Sequence, residues 1–378
     1  MGLTVFLFLI PLAVWLVVAK TIFKHEFTLQ EMAIQGGATA LILILLSFAG
    51  YHSQTRDYML VNGVVTKLDP RRESCPIGWQ DFTDNFCTEY YTRTVKRGET
   101  CTTNSEGRRT CTPNYVTQYN YVYPWEKRYF VRSTLRSFEI DRVDRQGRNT
   151  PPRFAQVNVG DPVSDLVAYT NYIQGAAHTL FNQQMEDVPP IAYPGIYDYY
   201  HVRRVIYYGT PSSSEFVESW NRDLAVLNSA IASTQANVII NVVGENQSWA
   251  EGLAQAWDAH NINDVIVSIG VADERVSWVD VRSWSSNHLV NVTIRDEIMN
   301  LGVVEPERIN SIIRQAIESY YAYQPMENFE YLADDIAPPI WVYILAGIIL
   351  LIVTPAVTVY FSTPQESLYL RRNRYRRF

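Results

Sequence analysis

Three uncharged apolar stretches of helical length flank a long polar middle of the chain. They cover residues 3–19, about 32–51 and about 339–361. A helix needs about 20 residues to cross the ~30 Å hydrocarbon core of a bilayer, and it satisfies its own backbone hydrogen bonds there. The pattern therefore predicts three transmembrane helices, with residues 52–336 held on one side of the membrane.

The first stretch has an alternative interpretation as a cleaved signal peptide. It lacks a basic segment before its apolar part, and no clear small-x-small cleavage motif precedes Lys20. A membrane helix is therefore favoured over a signal peptide.

Basic residues indicate the orientation of these helices. Five arginines follow the third stretch against a single acid, Glu366, and basic residues beside a membrane helix stay in the cytoplasm. Residues 362–378 are thus predicted to be a basic cytoplasmic tail, and the short linker between the first two helices is also cytoplasmic. Residues 52–336 are predicted to be extracytoplasmic, in the periplasm. The tail arginines, which can also bind anionic lipid, are Arg371, Arg372, Arg374, Arg376 and Arg377.

The charge balance excludes one class of partner for the extracytoplasmic block. The chain has 32 Lys and Arg residues against 39 Asp and Glu residues. Residues 1–51 carry two of each sign and residues 337–378 carry five basic and one acidic residue, so residues 52–336 have a net charge of −11. Nucleic acid binds a basic face, and it is therefore not an expected partner.

All four cysteines lie within 37 residues of this block. An even, clustered set on the oxidising side of a membrane predicts two disulfide bonds. Of the three possible pairings we favour Cys75 with Cys87 and Cys101 with Cys111, because each closes a short loop. A zinc site is the alternative, although no C-x-x-C pair supports it.

The pattern inside the block changes near residue 212. Residues 52–212 contain short alternating runs and many tyrosines, which predict an antiparallel β-rich domain that carries the disulfides. A helix over about 161–180 interrupts it in this interpretation, because Asp161 is a good N-cap and Pro162 fits the first helical position. The predicted strands include 116–123, 129–132, 138–143 and 204–208.

Residues 213–330 have longer elements. Helical spacing follows Ser214 and Ser248, and two further helices are predicted at about 289–301 and 306–321. The predicted strands are 238–243, 265–269 and 276–282. The order α-β-α-β-β-α-α predicts an α/β domain with a mixed sheet, so the whole chain is expected to be a membrane protein with an α+β ectodomain.

This second domain resembles the TPM domain, the extracytoplasmic α/β module of a family that includes a photosystem II repair protein. The runs Ala236–Val243, Asn263–Ile269 and Asp273–Val276 carry the resemblance. It implies a mixed sheet close to a membrane helix and, for some members, metal-dependent phosphohydrolase activity. Ser283–Asn287 replaces the glycine-rich turn of the family, so the resemblance implies no site on that turn.

The region from about residue 52 to residue 212 shows a second resemblance, to uncharacterised membrane proteins of tailed bacteriophages. It is carried by Ile140–Gly147, Pro151–Arg153, Gly160–Pro162 and Tyr169–Ile173. It implies a phage origin more than an activity.

Motifs for known catalytic centres are absent from the sequence, including H-E-x-x-H, G-x-S-x-G and the Walker loop. The best candidates for chemistry are acids near the last two predicted strands, because a converging set could bind a divalent cation. Acids at strand turns are more often simply solvated. The candidate metal ligands are Asp273, Asp280 and Asp296.

The leading functional hypothesis is a non-enzymatic, membrane-anchored protein that binds or assembles an envelope or membrane protein. Its tyrosine-rich outer block suits a contact surface, because tyrosine contributes area at a low entropic cost. A metal-dependent phosphohydrolase at the membrane surface is the alternative, and a homo-oligomer is compatible with either. A transporter or channel is not favoured, because the predicted spans contain no charge and no repeat.

Overall fold

A computed structural model describes residues 13–21, 26–75, 87, 89–103, 109–176, 191–257 and 260–362 of the chain. Its helices are α1 (13–21), α2 (Leu29–Thr55), α3 (Pro152–Ala155), α4 (Tyr172–Gly175), α5 (Ser214–Ala230), α6 (Ser248–Ala256), α7 (Leu289–Leu301), α8 (Pro306–Tyr320) and α9 (Ile340–Ser362). Its strands are β1 (Arg56–Ser74), β2 (Tyr90–Thr103), β3 (Arg109–Tyr121), β4 (Trp125–Ser133), β5 (Ser137–Ile140), β6 (Pro162–Thr170), β7 (Ile196–Tyr197), β8 (His201–Val202), β9 (Val205–Tyr208), β10 (Asn237–Val243), β11 (Asp264–Ala272) and β12 (Arg275–Ser283).

Two helices, α2 and α9, are long and apolar enough to cross a membrane. They coincide with the second and third predicted spans. Of the first predicted span, residues 13–19 fall in α1, and residues 3–12 lie outside the described part of the chain. The arginine tail, Arg371 to Arg377, also lies outside it.

Helices α2 and α9 pack antiparallel through a seam that is apolar at one end and polar at the other. The buried residues of α9 recur every four positions, from Val342 and Ala346 to Thr354 and Thr358. At the apolar end Gly50 allows close approach, since a Cβ atom there would lie 2.6 Å from Val342 Cγ2. Small residues at such contacts let membrane helices approach closely.

The polar end corrects the expectation that the spans contain no charge. Helix α2 begins at Leu29, three residues before the predicted span, and so includes Glu31, which is fully buried. Gln35 Nε2 donates to Glu31 Oε1 at 3.2 Å and to Thr358 Oγ1 at 2.8 Å, and Trp15 Nε1 of α1 donates to the same hydroxyl at 3.0 Å. These bonds tie α1, α2 and α9 together.

The β domain is built on the 19-residue strand β1, which follows α2 with no intervening loop. Its sheet has the order β5-β4-β1-β6 and is antiparallel throughout. The predicted helix over 161–180 is wrong for its first part, because Pro162–Thr170 pairs with Val64–Arg56 as strand β6. The apolar spacing there fits a helix, but pairing with β1 satisfies the backbone along a strand, and Pro162 is tolerated at the strand start.

The α/β domain has a four-stranded sheet of order β12-β11-β10-β9. Strands β9, β10 and β11 are parallel, and β12 is antiparallel to β11. The strand predicted at 204–208 therefore belongs to this sheet and not to the β domain. The division between the two domains lies before Val205, because parallel pairing with β10 decides where this short strand packs.

Helices cover both faces of that sheet. On one face α5, α7 and α8 bury a large apolar cluster that includes Trp220, Leu224, Ile240 and Ile294. On the other face α6 packs through Leu253 and Trp257 against Ile239 and Ile266. This arrangement matches the predicted mixed sheet with helices on its faces.

Candidate functional site

Strands β2 and β3 form a two-stranded antiparallel sheet of their own, which we call the arm. Neither strand pairs with the main sheet of the β domain, and most of their side chains are exposed. At about 3.4 Å per residue, the 14 residues of β2 give the arm a length of about 48 Å. The arm is therefore a projection from the domain and not a part of its core.

Two disulfides fix the arm in the described structure, with the pairing predicted from loop length. Cys101 and Cys111 face each other across the ladder near the distal end of the arm, with an S–S distance of 2.07 Å. Cys75 and Cys87 join the end of β1 to the base of the arm, where they are buried against Tyr121 and Phe130. An isolated two-stranded hairpin is marginally stable in water, so these bonds replace the missing core. The loop between Cys101 and Cys111 contains Asn104–Gly107, a sequence that predicts a turn between two short strands, and this segment lies outside the described residues.

One face of the arm is lined with tyrosines. Residues directly opposite in an antiparallel pair share a face, and the ladder pairs Tyr90 with Tyr121, Thr92 with Tyr119 and Lys96 with Tyr115. The ring centroids of Tyr90 and Tyr119 lie 5.4 Å apart in an edge-to-face contact. Tyr115 is 63% exposed near the middle of the arm. We call Tyr90, Tyr115, Tyr119 and Tyr121 the tyrosine face.

The arm and the rest of the ectodomain differ in charge. Residues 90–121 carry five basic and two acidic residues, whereas the remainder of 52–336 carries 20 basic and 34 acidic residues. Lys96 pairs with Glu99 on the arm itself, while Arg93 and Arg109 are exposed and make no ion pair within the described structure. The arm is thus a basic projection on an acidic body.

A crevice of about 810 Å³ lies at the carboxyl ends of β9, β10 and β11. It forms there because the chain leaves β9 toward α5 on one face of the sheet and leaves β10 toward α6 on the other. Such diverging loops make the usual binding crevice of an open α/β sheet. Apolar side chains such as Phe216 and Val271 line it, together with three exposed acids. The acids are Glu245, Asp273 and Glu274.

The structure does not bring the three predicted metal ligands together. Asp273 lies in the turn between β11 and β12, at the crevice. Asp280 lies within β12 and pairs with Arg282 at 2.7 Å, about 17 Å along the strand from that turn. Asp296 is exposed on α7 and pairs with Arg295 at 2.9 Å. The strand and helix geometry separates residues that the sequence pattern placed near common turns.

Only one group of three potential ligands has its donor atoms within 4.8 Å of one another in the described residues, and it consists of Glu99, Cys101 and Cys111. Its two cysteines form a disulfide, so they offer no thiolate to a metal.

A buried polar seam joins the β domain to the α/β domain. Arg204 is 2% exposed, and its Nη2 donates to Asn62 Oδ1 at 2.7 Å and to Ser164 Oγ at 2.8 Å. Its Nε donates to Asn237 Oδ1 at 2.8 Å, and Asn237 Nδ2 donates to Asp264 Oδ1 at 2.8 Å. The guanidinium therefore bridges strands β1 and β6 to strand β10.

Burial controls the ionisation of this seam. Removal from water raises the pKa of the Asp264 carboxyl to about 7, although hydrogen bonds from Asn237, the Asn261 backbone and Tyr193 oppose the shift. Burial also lowers the pKa of the nearby His260 imidazole to about 4. The two groups are linked through Asn261, whose backbone N–H donates to Asp264 Oδ2 at 2.9 Å and whose carbonyl oxygen lies 3.1 Å from His260 Nδ1.

Sequence reasoning missed the arm and the seam. It predicted a strand at 116–123 and a short hairpin between Cys101 and Cys111, but not a continuous ladder from Tyr90 to Tyr121. The alternation of tyrosine at 115, 119 and 121 was the available signal. The sequence signal for the buried polar seam is weaker. It consists of asparagines at positions 237 and 263, each next to a run of β-branched residues.

Comparison of the chain with models of known protein families, with curated proteins and with solved structures finds no match. The resemblances to the TPM domain and to phage membrane proteins therefore stay predictions.

Proposed function

We propose that this protein is a membrane-anchored extracytoplasmic binding or assembly protein, and that the tyrosine face of the arm contacts an envelope or membrane protein. One observation carries the proposal: four tyrosines share one face of a projecting ladder, and of these Tyr90 and Tyr115 are 45% and 63% exposed. Aromatic side chains of this kind are enriched in protein contact surfaces, because their rigid rings bury much area.

The proposed topology has three membrane helices, with the N-terminus and the ectodomain outside and the tail inside. Two helices capable of spanning and two disulfides support it, since disulfides persist in oxidising compartments such as the periplasm. The arginines after α9 support a cytoplasmic tail.

The position of the arm supports a partner beyond the bilayer surface. Strand β1 leaves the end of α2 without a loop and runs 19 residues to the base of the arm, a path of about 65 Å. The arm therefore begins at the end of β1 that is farther from the membrane helix. A partner with its own extracytoplasmic domain can reach it there.

The test uses a photo-crosslinking amino acid at Tyr115 in the full chain, in native membranes. Tyr91 provides a matched control, because it is 62% exposed against 63% for Tyr115 but lies on the opposite face of the ladder. We expect a discrete crosslinked protein from position 115 and none from position 91. Equal crosslinking from both positions, or none from position 115, would contradict the proposal.

The alternative, a metal-dependent phosphohydrolase with Asp273, Asp280 and Asp296 as ligands, has less support. These side chains are not grouped in the described structure, and two of them make ion pairs with arginine. A divalent-cation cofactor on this set is accordingly not part of the proposal.

A further inference from the structure

We propose that the arm of one copy docks on the acidic crevice of a second copy, so that the protein assembles with itself in the membrane. This inference rests on the proposed function, because it names the partner of the same arm. It uses four features that no single domain explains: a basic arm, its exposed tyrosines, an acidic crevice and a shared membrane plane.

Charge complementarity is the first argument. The crevice acids Glu245, Asp273 and Glu274 are exposed and make no ion pair within the described structure. Arg109 of the arm is equally exposed and unpaired there, and alternation along β3 places it on the same face as Tyr115. Opposite charges that are free on both surfaces steer association and fix its register.

Apolar complementarity is the second argument. Beneath the acids the crevice is lined by Tyr207, Phe216, Val242, Val271, Val303 and Val304. Its volume of about 810 Å³ falls within the range of about 300–1,000 Å³ of sites that bury a ligand. The exposed ring of Tyr115 supplies an apolar body with a polar tip that can stay hydrated.

The length of the arm is the third argument. The ectodomain of about 285 residues has an expected radius of gyration of about 19 Å, while the arm is about 48 Å long. An arm of this length can extend from its own domain to the body of a neighbour. Anchoring in one membrane raises the effective concentration of the two copies for each other.

The experiment measures energy transfer between donor- and acceptor-tagged full chains, fused at the C-terminus and co-reconstituted in neutral liposomes at a series of lipid dilutions. The arm-reversed variant is Arg109→Glu, and the crevice-reversed variant is Glu245→Arg with Glu274→Arg. Arg93→Glu is a matched control on the arm, because Arg93 lies with Tyr91 on the opposite face of the ladder. Arg222→Glu and Glu307→Arg serve as further controls, because both side chains are exposed, lie outside the two surfaces and make no ion pair with any described residue.

We expect transfer in the natural protein, and each reversed variant alone should need at least about a tenfold higher protein density for the same transfer. A mixture of the two reversed variants should recover the energy transfer, since the arm of each variant then finds a crevice of opposite charge on the other variant. The controls should match the natural protein.

Absence of transfer at the highest density, or no recovery in the mixture, would overturn self-assembly. A specific crosslink from Tyr115 to a different protein, with no transfer, would leave the proposed binding function intact and remove only this inference. Failure of both experiments would remove both.

Discussion

The α/β domain buries its sheet between helices on both faces, whereas no helix of the described part of the chain packs on the arm, which exposes most of its side chains. In the domain every side chain of β10 is buried. In the arm, order comes from one ladder of backbone hydrogen bonds and from a disulfide at each end. The α/β domain offsets the loss of chain entropy by apolar burial, and the arm offsets it by covalent constraint.

This contrast shows which part of the molecule can carry a binding surface. A residue in a packed core cannot change without a cavity or a clash, so its identity is set by stability. Most side chains of the arm are exposed and do not meet that demand, and the exposed ring of Tyr115 is accessible to another molecule.

Leu224→Ala should destabilise the α/β domain by about 2–5 kcal/mol, because it leaves a cavity beneath α5 where the side chain is fully buried. Hydrogen exchange should show the loss at the amides of β10. Leu166→Ala is the matched control, since Leu166 is 43% exposed on β6 and should change stability by less than about 0.5 kcal/mol. An equal loss of stability in both variants would show that the Leu224 side chain of α5 is not part of the packed core.

Replacing Cys101 and Cys111 by serine should destabilise the arm by about 2–3 kcal/mol, because the bond closes a loop with a sequence separation of 10. Hydrogen exchange should accelerate in β2 and β3 while β10 and β11 keep their protection. Loss of protection in the α/β sheet as well would show that the arm is coupled to it and would end the distinction between the two regions.

The smallest effect concerns the pH dependence of the seam. The native Asp264 carboxyl holds its proton up to about pH 7, against an ordinary pKa of 3.8, so its contribution to stability falls as pH rises from about 4 to 7. The native His260 imidazole loses its proton already near pH 4, against an ordinary value of 6.5, so its contribution rises over about pH 4 to 6.5. The two contributions oppose each other in the natural protein.

Asp264→Asn should therefore become more stable, relative to the natural protein, as pH rises from about 4 to 7. His260→Gln should show the opposite slope. Thermal unfolding of the α/β domain at a series of pH values measures both. Parallel profiles for the two variants and the natural protein would show that neither group has a shifted pKa in the folded domain.

The sequence predicted the elements of the α/β domain because their patterns are long and regular. The helix at Leu289–Leu301 and the strands β10, β11 and β12 lie within a few residues of their predicted positions. The helix predicted over 161–180 is wrong in its first part. The apolar spacing there fits a helix, but the residues pair with β1 as a strand. Local pattern cannot report that a distant strand has a free edge.

Glu31 of α2 shows the same limit. The second predicted span begins just after this charge, but α2 includes Glu31, which is fully buried and accepts a hydrogen bond from Gln35. Gln35 also donates to Thr358 of α9, a helix that begins at Ile340, so the surroundings of Glu31 depend on a distant segment of the chain.

By itself, the sequence determined the apolar helices, the acidic charge of the outer block, the paired cysteines and the secondary structure of the α/β domain. These properties depend on composition or on contacts between residues close in the chain. Only the tertiary structure decided that β9 joins the second sheet, that Arg204 bridges the domains, that the candidate aspartates stand apart and that the tyrosines share one face of an arm. Each of these depends on strand register and packing between distant segments, which no local pattern encodes.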